Sequence, residues 1–145
     1  MERLATGLSL ALAGSIAAGA LGVQAPYAQE KKKEEYVSTA QIKTLVQKPL
    51  PEMEGKQITI VDMTAPPGWT GGRHYHSGPV FVVVKEGAFT IEVEGKPQHT
   101  LKAGELFEEP IGTPMLAKNL DTAEPARFLV IQVSNTGEPL MYKAE

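Results

Sequence analysis

The chain has 145 residues, 21% of them charged, a formal net charge of −3 and no cysteine. That length gives one domain with enough sequence to bury a single core, and the slight acidity excludes a nucleic-acid backbone as partner. Without cysteine there is no disulfide scaffold, no thiol nucleophile and no thiolate-ligated zinc.

Leu8 to Val23 is a run of Leu, Ala, Gly, Ile and Val with two serines, and it leads to small residues at Ala25 and Ala28. This reads as a secretory signal peptide over residues 1–28, cleaved after Ala25 or Ala28. The run is shorter than the ~20 residues a span needs, so no membrane association is expected after cleavage. The expected location is the periplasm or the extracellular space. Residues 29–54 read as a charged lead-in and an edge segment. Gln29 to Glu35 has mixed charge and no apolar face, as a solvated stretch would. Tyr36 to Val46 fits neither structural period, and Pro49 and Pro51 then break the pattern, which predicts an edge strand or an irregular wrap.

From residue 55 to 135 the pattern is all strand. Gln57–Met63 is short and β-branched, and Ala65-Pro-Pro-Gly68 ends it. Val80–Val84 is apolar on both faces, as a strand between two layers would be. Phe89, Ile91 and Val93 alternate with polar neighbours, followed by short segments at His99–Leu101, Leu106-Phe107 and Met115–Asn119. Arg127–Val133 is the last long strand. The tail, residues 136–145, carries Leu140, Met141 and Tyr142, enough to dock as an edge segment. Turn signals every 8–12 residues, with no helical period, predict a double-sheet sandwich or barrel.

Two stretches carry the chemistry. In the first, Gly68 is followed by His74, His76 and, after an apolar run, Gly87. In the second, Gly104 is followed by Pro110, Gly112 and Asn119. These spacings resemble the two cupin motifs, G-x5-H-x-H-x3,4-E-x6-G and G-x5-P-x-G-x2-H-x3-N. The resemblance covers roughly residues 55–135 and implies a cupin-type jelly-roll β-barrel. It also implies a divalent metal held by three histidines and one glutamate. Here the motif's glutamate falls on Val80 and its last histidine on Met115, so two of the four ligands are present.

In a strand His74 and His76 share a face, about 6–7 Å apart along it. Val80 shares that face if the strand is continuous, and Met115 and Asn119 share one on the second segment. The candidate pocket is therefore His74, His76, Val80, Met115 and Asn119, with Trp69 and Arg73 at its mouth. Val80 is core on every reading, and Met115 reads as core filling in preference to a ligand. Three states of the histidine pair stay open: a carboxylate from Glu105, Glu108 or, preferred, Glu109 completes a site for Mn, Fe or Zn; the Met115 thioether favours Cu; or no metal binds. Without metal the histidines would serve a ligand by hydrogen bonding and acid–base action. The expected function is small-molecule binding in the barrel, and the alternative is a metal-dependent oxygenase, isomerase or lyase. A homodimer is expected because Phe81 and Val83 make the outer face of a central strand apolar. Gly71-Gly72 reads either as a lid hinge or as a plain loop.

Overall fold

Alternation in sequence becomes alternation in burial. The computed structural model describes residues 32–145, and the expected signal peptide lies outside the described residues. The ten strands among these are β1 (Gln41–Pro49), β2 (Lys56–Ala65), β3 (His74–Tyr75), β4 (Val80–Glu86), β5 (Ala88–Val93), β6 (His99–Lys102), β7 (Leu106–Glu109), β8 (Met115–Lys118), β9 (Ala126–Asn135) and β10 (Tyr142–Lys143). In β2 and β9 every second side chain is buried along the whole strand. That is what a period of two gives when one face of a sheet is dry.

Two five-stranded sheets form, in the orders β1-β2-β9-β4-β7 and β10-β3-β8-β5-β6. All the strand pairs are antiparallel. Face to face they make the double-sheet jelly roll that the sequence predicts. Phe89 of one sheet meets Phe128 of the other at 4.6 Å between ring centres, tilted by 50°. That pair anchors a core of Val61, Val82, Ile91 and Leu101, each at most 2% exposed. Each such side chain contributes about 1.5–3 kcal/mol by leaving water.

The His-x-His stretch is not part of one continuous strand with Val80. β3 ends at Tyr75, and the chain crosses between sheets over Ser77–Pro79. The crossing requires glycine: a Cβ on Gly78 would lie 2.0 Å from the Val133 carbonyl oxygen. Val80 therefore faces inward from the opposite sheet to the histidines.

The lead-in departs from its expected solvation in one respect. Its residues 32–35 are exposed, yet the Lys143 N–H donates to the Glu34 carbonyl at 2.7 Å and Glu35 bridges to Tyr142. Residues 34–40 thus run across one end of the barrel before entering β1. β1 is an edge strand, as expected, with a register shift between Thr44 and Val46 and with Pro49 at its end. Both features blunt an exposed edge. The tail docks, burying Met141 and Tyr142.

Candidate functional site

Between the sheets, beneath residues 34–40, lies a cavity of about 20 Å³. Its walls are apolar, chiefly Met63, Val82, Phe89, Ala117, Phe128 and Val130. Its polar groups come from His74, His76, Glu109 and Ser38. The three titratable residues come from both sheets: His74 from β3, His76 just after it, and Glu109 from the end of β7. They are 5%, 2% and 4% exposed.

The imidazoles meet edge to face, with ring centres 5.3 Å apart and planes at 86°. Each is fixed through Nδ1. The His74 Nδ1–H donates to the Gly72 carbonyl at 2.9 Å, because a carbonyl can only accept. Its Nε2 therefore keeps a lone pair, and no described residue donates to it. Burial, the largest influence, and the neighbouring His76 hold this imidazole's pKa below its ordinary value, against the Gly72 carbonyl and Glu109, which favour protonation.

His76 is held differently. Its Nδ1–H faces both the Leu140 carbonyl at 2.7 Å and Gln132 Oε1 at 2.9 Å. Gln132 is oriented by its own amide, which donates to the Pro139 carbonyl at 3.4 Å. On the other side, His76 Nε2 lies 2.9 Å from Glu109 Oε2. Burial opposes charge on His76 most strongly, but Glu109, Gln132 and the Leu140 carbonyl together raise its pKa above the ordinary value. His76 and Glu109 form a close buried pair in which Glu109 favours the protonated form of His76. Its closeness is not matched by direction, since Glu109 Oε2 has no well-aligned hydrogen-bond donor among the described residues. Glu109 Oε2 thus borders the cavity with His76 Nε2 as its near partner.

Of the residues expected in the pocket, the structure brings together His74, His76, Glu109 and Trp69. Trp69 closes the mouth, and its indole N–H donates to Thr39 Oγ1 at 2.9 Å. Val80 and Met115 are buried in the hydrophobic core and do not line the cavity; Val82 takes the place foreseen for Val80. Asn119 is fully enclosed by its own loop: its amide faces the carbonyls of Ala65, Pro66 and Glu124, and its Oδ1 accepts from the Asp121 N–H. It clasps two loops together. Arg73 points away from the cavity to pair with Glu94 on an outer groove, because it alternates with the inward His74. Glu105 and Glu108 are exposed, as is His99.

Sequence reasoning missed Gln132, Tyr36 and the Leu140 carbonyl. Gln132 had a signal: it follows Phe128 and Val130 at a spacing of two, so a polar side chain stands at an inward position. Tyr36 had none, since it sits in a polar stretch and reaches the site only through the course of the chain. There it stacks on His74, ring centres 5.3 Å apart and planes 10° from parallel.

The donor set is of a kind that divalent metals accept, two imidazoles and one carboxylate. Two of the four ligands that the family motif supplies are absent. Among the described residues no three His, Asp or Glu side chains are placed to hold an ion together. The two remaining positions of the motif, Val80 and Met115, are apolar core and supply no ligand.

A double-sheet antiparallel barrel enclosing a polar-tipped cavity defines the cupin class. A family model described as "Cupin domain" matches residues 61–132, and the chain belongs to the cupin family. Comparison with curated proteins finds no match. Among solved structures, a cupin-family protein with a double-stranded β-helix fold from Methanocaldococcus jannaschii is 22% identical, with a TM-score of 0.56 over 74% of this chain and 93% of that one. A cupin-like protein from Thermotoga maritima is 20% identical, with a TM-score of 0.55 over 75% and 89%. The DMSP lyase DddQ from Ruegeria pomeroyi is 19% identical, with a TM-score of 0.57 over 68% of this chain and 49% of the lyase. At these identities the likeness establishes the fold.

Proposed function

We propose that this is an exported cupin that binds a small molecule in its barrel without a resident metal. One observation carries the reading: an apolar cavity ends in an imidazole with a free Nε2, beside a carboxylate paired with the second imidazole. Few, convergent polar groups on apolar walls are the usual make-up of a small-molecule site. Export rests on the signal-like residues 1–28. Pairing into a homodimer is supported by the outer face of the first sheet, where Phe81 is 37% and Leu106 58% exposed.

Ligand-observed NMR with a set of small alcohols, phenols and amines tests the reading. Binding is expected for at least one member, weakened at least tenfold in His74→Phe and abolished when Ala117→Leu fills the cavity. No binding by any member, with Ala117→Leu only raising stability, would reduce the cavity to a packing defect. Elemental analysis of untagged protein addresses the alternative, a metal-dependent oxygenase, isomerase or lyase. Well under one equivalent of Mn, Fe, Zn or Cu is expected. One full equivalent, lost in Glu109→Gln, would replace the present reading with the metal-dependent one.

A further inference from the structure

The cavity as it stands has space for about one water. Anything larger must be let in, and the structure indicates where. On the far side of Tyr36, Ser38, Leu140 and Met141 lies an open groove of about 220 Å³, whose floor is Thr59 and Val61 of β2. Those four residues line the groove and the closed cavity alike. They are the wall between them.

We propose that residues Glu34–Ala40 are a gate, and that the groove is the antechamber for a small, mainly apolar ligand carrying a hydroxyl group. The hydroxyl is the part that the free His74 Nε2 can accept from, while the apolar walls take the rest. This rests on the small-molecule reading given above for the ligand, but the gate itself does not.

The gate is fastened at its start, where Glu34 meets Lys143 through carbonyl and carboxylate and Glu35 bridges to Tyr142, and at points further along. Tyr36 N–H donates to the Met141 carbonyl at 3.0 Å, and Tyr36 Oη accepts from the Gly72 N–H at 2.5 Å. Thr39 holds Trp69, and Ala40 is buried in the core. Val37, between them, is 73% exposed and adds nothing to the seal. Tyr36 is the plug, since its ring covers His74 face to face. Gly72 is shaped to receive it: a Cβ there would lie 2.5 Å from Tyr36 Cε2. Gly72 therefore works as the seat of the gate. A segment with so little buried apolar surface opens at a small fraction of the cost of global unfolding.

Diethyl pyrocarbonate, which is too large for the closed cavity and reacts with a free imidazole nitrogen, reads the gate without any ligand. The chain's third histidine, His99, is exposed and serves as the internal standard. In the wild type, His74 is expected to react at least tenfold more slowly than His99. In Tyr36→Ala the His74 rate should rise at least tenfold, and Gly72→Ala, which unseats the intact tyrosine, should raise it in the same direction. His76, with both nitrogens engaged, should stay slow in each. Should either variant fail to fold, amide exchange of the wild type decides. The Tyr36 N–H is then expected to exchange at least 100-fold faster than the Val130 N–H of β9. Equal reactivity of His74 and His99 in the wild type, unchanged His74 rates in folded variants, or equal protection of the two amides would each overturn the gate. A working gate with no hydroxyl-bearing ligand found would leave the gate standing and remove the ligand assignment.

Discussion

His74 and His76 stand two residues apart and have pKa values displaced in opposite directions, because their surroundings differ at one nitrogen each. His76 meets Glu109 there, and His74 meets open space. The signs of the two shifts oppose one another. Above the ordinary value of 6.5 and up to its own raised pKa, folded His76 keeps a proton that the unfolded chain has lost, so stability falls as pH rises through that window. Below 6.5 and down to its lowered pKa, unfolded His74 takes a proton that the folded chain refuses, so stability falls as pH drops. Urea unfolding across pH should therefore show a maximum near the ordinary imidazole value. His76→Gln should flatten the alkaline side and His74→Gln the acid side; a monotonic curve in the wild type would contradict the assigned shifts. Removing one member of the buried pair leaves the other charge unmatched. Glu109→Ala is accordingly expected to lose about 3 kcal/mol in the same unfolding assay near pH 6.

Elements explain why the spacing of the motifs and their chemistry came apart here. Two residues serve the backbone and touch no ligand. Gly78 stands at a free position of the first motif, yet without it β4 cannot pass close to β9 to deliver Val80 and, through β7, Glu109. Asn119, at the end of the second motif, holds the Ala65-Pro66 and Glu124 carbonyls together. Asn119→Ala should lose about 1–3 kcal/mol because buried carbonyls are left unpaired, and should leave ligand binding intact; a lowered denaturation midpoint with an unchanged slope would register it. Strands such as β2 and β9 were legible because one dry face imprints a period of two. Glu109 was legible from its place before the Pro110 turn. The course of residues 34–40 was not, since a polar segment that crosses a barrel mouth has no period to read, and the direction of Arg73 follows only from knowing which way His74 faces.

For the molecule as a whole, the outer face of the first sheet carries an apolar surface that the register assembles. Ile60 stands opposite Ile131, Ile131 opposite Phe81, and Val83 opposite Leu106, so neighbouring strands present one continuous patch. Two copies packing this face together would cover it on both, as a twofold interface does. Light scattering at micromolar concentration is expected to give a dimer in the wild type and a monomer in Ile131→Lys; a monomeric wild type would end that proposal. The joining of the two chain regions over the barrel mouth has a kinetic consequence. Lys143 and Glu34, paired there, are 109 residues apart in sequence. Closing so long a loop carries a large entropic cost, so this contact is expected to form after the sheets rather than with them. Substitutions at Tyr36 should then speed unfolding while leaving the refolding rate nearly unchanged, and stopped-flow measurement of both rates would reveal it. A barrel that is complete before its mouth is covered would offer the cavity to a ligand during every folding event, without waiting for the finished protein to open.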